Sequence, residues 1–595
     1  MSTAILTGQP VPGSPLEGDL RSLGFDVRVA SDAADAETLL AAVPGDQRVA
    51  VVDARFVGHV HALRLALTDP RFAASAVPGA VTAKPEARTA LTRALRTGAG
   101  TAAPLPDGIA AAMESAATDV HRPELGALVA TVPTDPQTRD EARRAVAAVD
   151  DEAVRLRTAV KSRDGFFTTY CISPYSRYIA RWCARRGLTP NQVTTVSLLT
   201  ALIAAGCAAT GTRGGFVAAG LLLILSFVLD CTDGQLARYS LQYSTLGAWL
   251  DATFDRAKEY AYYAGLALGA ARGGDDVWAL ALGAMVLQTC RHVVDFSFNE
   301  ANHDATANTS PTAALSDKLD SVGWTVWVRR MIVLPIGERW ALIAALTAVT
   351  TPRVTLVVLL IGCALAACYT TAGRVLRSLT RKATRTDRAA TALADLADNG
   401  PLASAFSALT PRVTWLRPAP VLAFAGGAGL VGTALGNSYG GPVVVAAAAL
   451  YIALSGLALV MPLKAPLDWL VPPFFRAAEY GTILVLAAKA DVNGALPAAF
   501  GLVAAVAYHH YDTVYRIKGG TGAPPAWLVR AIGGQEGRVL VVALAAALLP
   551  ATDFTVALTA LAVAVALVVL VESIHFWVTA HKRGAPAVHD EGEPA

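Results

Sequence analysis

Residues 230–255 read DCTDGQLARYSLQYSTLGAWLDATFD. Asp230 and Asp233 are three apart, Asp251 and Asp255 are four apart, and both pairs sit where two long apolar segments meet. On helices, each pair projects from one face. Gly234 and Gly247 flank the pairs and allow a backbone or a ligand to approach closely. Carboxylates grouped beside lipid are costly unless a cation or a substrate charge compensates them. Four oxygen-bearing side chains suit one or two hard divalent cations, and such cations pair with a diphosphate. Arg238 is placed to meet a phosphate oxygen. The competing reading, an ordinary solvated polar loop, is disfavoured by the apolar runs on both sides.

Those runs dominate the chain. Of 595 residues, 54% are hydrophobic and 16% charged, and mean hydropathy is +0.43, too apolar for a soluble protein of this length. The polarity is uneven: residues 1–160 read as soluble, while most of 189–577 consists of Ala/Leu/Val-rich runs. A net charge of +3 gives no reason to expect nucleic acid as a partner. The seven cysteines are scattered without a CxxC pair, which argues against a disulfide framework or a zinc knuckle. The opening run is short and leads into polar sequence, so no signal peptide is expected and the N-terminal segment should be cytoplasmic.

Hydropathy predicts a first set of six helices near 191–210, 215–232, 250–273, 278–297, 339–351 and 354–376. A second set is predicted near 415–435, 441–461, 474–490, 494–512, 536–550 and 554–577. Arginine and lysine gather at 177–186, 329–339 and 374–388, on one side if the first six spans alternate. The positive-inside rule makes that side cytoplasmic and opens the aspartate cluster to the cytoplasm. Arg177, Arg181, Arg185 and Arg186, interleaved with Tyr178, Ile179 and Trp182, suit an amphipathic helix on an anionic membrane face. Pro190 then opens the first span, where its missing N–H costs little.

The two helical sets share a register. WLDATFDRAKEY (249–260) aligns with WLVPPFFRAAEY (469–480), RHVVD (291–295) resembles YHHYD (508–512), and the Gly pair at 214–215 has a counterpart at 440–441. An internal duplication follows, in which Asp251 becomes Val471 and Asp255 becomes Phe475. The second set would have kept its packing and lost its carboxylates. It holds membrane polar residues of its own, among them Arg476, Glu479, His509 and Asp512. These suggest an accessory substrate pocket, a proton or lipid path, or internal ion pairs.

At the front, AILTG (4–8) and RVAVVD (48–53) read as buried strands, and the alternation with helix-like segments implies an α/β layer domain. The AILTG opening followed by a Gly/Pro-rich turn resembles a nucleotidyltransferase domain. The loop QPVPGSPLEG lacks lysine and arginine, so a degenerate, non-catalytic version is expected. Asp53, after an apolar strand, is either a metal carboxylate or a bland strand end. A receiver domain is disfavoured because the acidic pair after the first strand is missing.

The expected fold is therefore multi-domain: a soluble α/β domain followed by an all-α polytopic membrane region of about twelve helices in two six-helix units. The boundaries are a 1–135 α/β domain, 136–188 connecting and juxtamembrane helices, and a 189–380 membrane domain. A basic and polar cytoplasmic linker (381–412), a second, non-catalytic membrane domain (413–578) and a disordered tail (579–595) follow.

The spacing DxxDGxxARx8GxxxDxxxD, here Asp230, Asp233, Gly234, Ala237, Arg238, Gly247, Asp251 and Asp255, resembles the CDP-alcohol phosphotransferase family over about 160–380. The resemblance implies a six-helix membrane unit, usually homodimeric, in which a substituted phosphate passes from a CDP-alcohol to an acceptor hydroxyl with release of CMP. It implies that Asp230, Asp233 and Asp251 ligate Mg2+ or Mn2+, two ions in all, with Asp255 as the acceptor's base and also near metal. Gly234, Ala237, Arg238 and Gly247 would shape the nucleotide and phosphate site. TPNQVT (189–194) is similar to the start of the first family helix, so Asn191 and Thr194 either contact the donor or cap the helix. The loop RRMIVLPIGER (329–339) and the approach KSRDGFFTTY look most like the branch whose acceptor is an inositol phosphate. Arg329, Arg330 and Arg339 would then bind phosphate or act as positive-inside anchors. A front domain joined to such a unit also resembles fused inositol-phosphate enzymes.

The expected partners are a CDP-alcohol, with CDP-diacylglycerol or CDP-inositol as donor, an acceptor alcohol and membrane lipid, within the plasma membrane. Assembly would be a homodimer or an intramolecular pairing of the two membrane units. The rival reading is a transporter or scaffold built from two related six-helix units.

Overall fold

The computed structural model describes residues 2–98, 104–161, 164–309, 327, 331–410 and 419–582. The chain divides into two compact units. One comprises Met1–Ser162, Ser173–Pro190 and Thr232–Ser244; the other comprises Arg163–Ile172, Asn191–Cys231 and Thr245–Ala595.

In the first unit, five short strands form one sheet: β1 (Ser2–Thr7), β2 (Phe25–Ala30), β3 (Val49–Asp53), β4 (Ala74–Val77) and β5 (Ala80–Ala83). The order is β2-β1-β3-β5-β4, with β1 parallel to β2 and β3, and the β4–β5 hairpin antiparallel. Gly79 closes that hairpin at φ +80°, a left-handed turn position that favours glycine. Apolar strands with both faces buried need cover on both sides. Helices α1 (Leu16–Ser22) and α3 (Val60–Leu67) supply it on one face, and α2 (Ala33–Ala41), α4 (Arg88–Gly98) and α5 (Leu105–Ser115) on the other. The α/β expectation therefore holds for this segment. Asp53 at the end of β3 is gripped by Arg55 at 2.9 and 3.1 Å, so its carboxylate is occupied by a neighbouring guanidinium.

Helices α6 (Pro136–Ala147), α7 (Asp151–Thr158) and α8 (Ser173–Arg185) follow. On α8, Ser173, Ser176, Ala180 and Cys183 face inward at helical spacing, while Tyr175, Tyr178 and Trp182 stay exposed. That is the geometry of a helix lying on an interface.

The helices bearing the aspartates are α10 (Arg213–Ser240) and α11 (Thr245–Arg272). The end of α10 belongs to the first unit. Ser176 donates to Gln235 at 2.8 Å, Arg155 donates to the Tyr239 carbonyl at 2.8 Å, and the Tyr239 hydroxyl donates to Glu152 at 2.8 Å.

The second unit is helical. It contains α9 (Pro190–Ala209), most of α10, α11, α12 (Trp278–Asn302), α13 (Ile336–Val349) and α14 (Pro352–Thr380). Then come α15 (Asp387–Leu396), α16 (Pro401–Leu409), α17 (Ala419–Gly436), α18 (Pro442–Ala458) and α19 (Val471–Ala490). The series ends with α20 (Ala495–Lys518), α21 (Ala526–Ala531), α22 (Gly534–Leu548) and α23 (Ala551–Lys582). Seven helices among the described residues have the length and hydropathy to cross a membrane, against the expected twelve or so. The difference has a physical origin. α13 and α18 are short, at 14 and 17 residues, and α11, α12 and α20 carry buried charge that lowers their hydropathy.

Close contacts bind these helices. Ser197 on α9 and Ser226 on α10 each donate to the other's carbonyl at 2.8 Å. Such polar staples and small residues substitute for a hydrophobic driving force between membrane helices. α12 packs on α19 and α20, and α11 packs on α20 and α23.

The same ionic motif occurs on α11 and on α19. Arg256 bonds Glu259 at 2.7 Å, and Arg339 approaches Glu259 at 3.3 Å. Arg476 bonds Glu479 at 2.9 Å, and Arg538 bonds Glu479 at 2.6 Å. All six side chains are buried, where a charge is retained only if it is paired. A second parallel lies at the preceding turns. Glu338 accepts from the Phe167 N–H at 3.2 Å, and Glu536 accepts from the N–H groups of Gly400 and Ala403 at 2.9 and 3.1 Å.

Candidate active site

α10 places Asp230 and Asp233 one turn apart, and α11 brings Asp251 against them. Each of the three offers an oxygen, and these atoms lie within 4.8 Å of one another. Among the described residues no other group of acidic, histidine or cysteine side chains has that closeness. Three carboxylate oxygens converging in this way form a hard, anionic donor set of the kind that magnesium and manganese take. The donor chemistry therefore fits the metal expected from sequence.

Asp255 stands one turn beyond Asp251 on α11. Its Oδ1 lies 2.9 Å from Lys258 Nζ, and Lys258 also bonds Asp230 and the Ser197 hydroxyl at 3.2 Å. Lys258 is 1% exposed, whereas the carboxylates of Asp230 and Asp255 keep 15% and 16% exposure. The ammonium is thus the buried floor of the site, and the acids face its opening. Four aspartates and one lysine leave a net formal charge of −3, a strong field for a cation.

Lys258 is the residue that sequence reading missed. Its signal is present in the pattern: it falls three residues after Asp255, on the same helical face. In the aligned register it stands opposite Ala478, so it departs from the repeat together with Asp251 and Asp255.

The other expected site residues are distributed as follows. Gly234 lies on α10, where an added Cβ would make ordinary van der Waals contact with Arg238 Nη1 at 3.5 Å, so the guanidinium packs beside it. Arg238 Nε donates to the Ala159 carbonyl at 2.5 Å. Ala237 is half-buried, and Gly247 is half-buried in the first turn of α11. Asn191 and Thr194 sit in the first two turns of α9, Thr194 buried and Asn191 half-buried. Arg339 is buried in the ionic motif with Glu259. Arg329 and Arg330 lie outside the described residues.

The polar residues of 413–578 separate into two networks. Arg476, Glu479 and His509 join Asp398 and Arg538: Asp398 receives Arg538 at 2.7 Å, Arg476 at 3.1 Å and His509 at 3.1 Å. Two acids and two arginines balance, which is the internal ion-pair arrangement. Asp512 stands apart, accepting from Ser573 and from the Trp577 indole at 2.7 Å each and pairing with Arg516 at 2.8 Å.

Comparison with known proteins agrees with the aspartate pattern. Residues 187–368 match the CDP-alcohol phosphatidyltransferase family, and residues 387–595 match a family of unknown function, DUF5941. A phosphatidylinositol phosphate synthase of Streptomyces avermitilis is 33% identical over 130 residues, 21% of this chain and 51% of that protein. A bifunctional IPC transferase and DIPP synthase of Thermococcus kodakarensis is 35% identical over 22% of this chain and 29% of that protein. An archaetidylinositol phosphate synthase of Pyrococcus horikoshii is 31% identical over 19% of this chain and 58% of that protein. The chain thus spans about half the length of the first of these relatives and under a third of the second. Residues 187–368 are thus the part of the chain that matches the CDP-alcohol phosphatidyltransferase family model, and they hold the converging aspartates.

Proposed function

We propose that this protein transfers a substituted phosphate from a CDP-alcohol to an acceptor hydroxyl, releasing CMP, and that the acceptor is an inositol phosphate. The observation that carries this reading is the convergence of Asp230, Asp233 and Asp251 oxygens beside an Asp255 fixed by Lys258. The inositol-phosphate assignment is supported by the names of the similar proteins and by the basic loop at 329–339.

Asp230, Asp233 and Asp251 would hold Mg2+ or Mn2+, two ions in all, which would neutralise the diphosphate and ease departure of CMP. Asp255 accepts the proton of the acceptor hydroxyl. The acceptor oxygen then bonds to the phosphorus distal to cytidine, and the bond from that phosphorus to the bridging oxygen breaks, leaving CMP with that oxygen. Lys258 holds Asp255 in place, which matters because a carboxylate is a weak base for an alcohol and gains from being aimed. Arg238, held by its Nε bond to the Ala159 carbonyl, would lend its positive charge to a phosphate oxygen. Positioning and charge neutralisation supply most of the rate in such transfers.

The basic clusters favour a cytoplasmic site in the plasma membrane, with the α/β domain on the same side. The Asp53–Arg55 pairing and the loop without basic residues support a non-catalytic role for that domain. The test uses the purified full chain, a panel of CDP-alcohols and acceptors including CDP-diacylglycerol and inositol phosphate, and mass detection of product. Divalent-dependent CMP release is expected, falling about 100-fold or more in Asp251→Asn and Asp255→Asn. Normal turnover in both variants would refute the assignment; solute flux across vesicles without CMP would favour a transporter.

A further inference from the structure

α11 holds both Asp251 and Asp255, yet much of its surface is covered by residues beyond 387. The Trp249 ring, two residues before Asp251, stacks on Trp577 with centroids 6.1 Å apart and planes 20° apart. Trp577 is itself locked. Its indole N–H donates to Asp512, which also accepts from Ser573 and pairs with Arg516, and Arg516 is bound to Glu572 at 2.6 and 3.0 Å. Two turns further, the Arg256 guanidinium lies 5.2 Å from the centre of the Tyr511 ring. Tyr511 in turn packs on His292 of α12 at 4.2 Å. Every ring and charge in this contact is buried or nearly so, and α20 and α23, which present Tyr511 and Trp577, pack against each other along their length.

The covering segment carries the Arg-x-x-Glu motif and its second arginine, and it has Val471 and Phe475 where the aligned register of α11 has Asp251 and Asp255. It therefore offers a rigid helical body without a carboxylate set of its own. Rigid elements around a site hold its groups to fractions of an ångström, and groups behind metal ligands tune affinity by orienting them.

We propose that α15 to α23 form a resident brace for α11, in which Trp577 and Tyr511 act as positioning residues. They work through Trp249 and Arg256 to fix the carboxylates of Asp251 and Asp255. This deepens the functional reading above, since it assumes that those carboxylates bind metal and accept a proton. The DUF5941 segment then serves as the fixed half of an intramolecular pair whose other half does the chemistry.

The test is made on the full chain in detergent or nanodiscs, with Mn2+ binding followed by the electron paramagnetic resonance of free Mn2+ alongside CMP release. Trp577→Ala is expected to weaken Mn2+ binding about 10-fold and to lower kcat about 10- to 100-fold, with donor KM within about twofold of wild type. Trp577→Phe should restore most of both. Tyr511→Leu, which keeps bulk and removes the ring facing Arg256, should move kcat in the same direction and serves if Trp577→Ala is not monodisperse. Val571→Ala, on the outward face of α23, should change neither quantity. Unchanged Mn2+ affinity and kcat in a folded Trp577→Ala or Tyr511→Leu protein would overturn the brace, as would a Trp577→Phe protein no better than Trp577→Ala. If wild type binds Mn2+ yet forms no CMP from any donor, the transferase reading fails, while the effect of Trp577→Ala on Mn2+ affinity still decides the brace.

Discussion

Lys258 Nζ lies 2.9 Å from Asp255 Oδ1 and also bonds Asp230, so a single buried ammonium ties α11 to α10 between two acids of the candidate site. The arrangement reconciles two demands. The acids must stay ionised to hold a cation and take a proton, and four like charges so close would otherwise favour protonation. The lysine removes part of the repulsion without closing the mouth of the site.

Replacing Lys258 should therefore have opposite effects on binding and on catalysis. Lys258→Met deletes a positive charge near the Asp230, Asp233 and Asp251 oxygens, so Mn2+ should bind several-fold more tightly, as Coulomb attraction dictates. Asp255 loses its anchor, and kcat should fall about 10- to 100-fold. Measuring Mn2+ affinity and CMP release together checks both signs. Weaker Mn2+ binding in a folded variant would contradict the role given to Lys258.

The buried ionic cluster of Asp398, Arg476, Glu479 and Arg538 makes a stability prediction. Asp398 and Glu479 balance Arg476 and Arg538, and all four are at most 3% exposed. Glu479→Gln leaves one buried guanidinium charge uncompensated, a change that costs about 3–5 kcal/mol. The exposed pair Lys464–Asp387 offers a contrast, since Lys464→Ala should change stability by less than about 1 kcal/mol. Thermal unfolding of the full chain in detergent measures both. Similar melting points for the two variants would refute the claim that the cluster is a structural ion-pair core.

Much of this was legible in the sequence, and the limits were physical. The aspartates could be read because four carboxylates at that spacing have few other uses beside lipid, and the buried strands Ser2–Thr7 and Val49–Asp53 because continuous apolar runs specify them. The positions of α9 to α12 followed from apolar run length. Lys258 was hidden because a one-dimensional pattern does not say which of several charges on a helix turns inward. The separation of Asp512 from Arg476, Glu479 and His509 was hidden for a related reason. Its partners Ser573 and Trp577 lie on a helix some sixty residues away, and nothing in the local pattern of YHHYD points to them. Asp398, central to the ionic cluster, sits in a polar stretch that reads as linker.

The α/β domain carries its own pH response through His61. The side chain lies on α3, 4% exposed, and burial, with Arg155 and Arg64 nearby, pushes its pKa down from 6.5 to about 4. The unfolded chain takes up this proton near 6.5 and the folded chain only near 4, so between those values the unfolded state binds more protons. The contribution is full above about pH 6.5 and is lost as pH falls towards 4, up to about 3 kcal/mol. Hydrogen exchange of residues 49–67 should accelerate over that window in wild type and much less in His61→Leu. Parallel pH profiles for the two proteins would exclude His61 as the cause.

The approach of α9 to α11 gives the most direct test of how packing supports the site. Gly265 and Gly269 are four residues apart on one face of α11, and a Cβ at either would collide with the carbonyl oxygen of Ala205 or Ala208 on α9. Backbone oxygens cannot swing aside as side chains do, so the helices must separate, which costs about 1–3 kcal/mol by analogy with overpacked cores. Gly269→Val should lower the melting point and reduce CMP release, because α11 also bears Asp251 and Asp255 and moves as one rod. Gly206 on α9 has nothing within 4 Å of an added Cβ, so Gly206→Ala should be neutral or stabilising by up to about 1 kcal/mol. If Gly269→Val melts and turns over like Gly206→Ala, the close α9–α11 contact does not set the position of the aspartates.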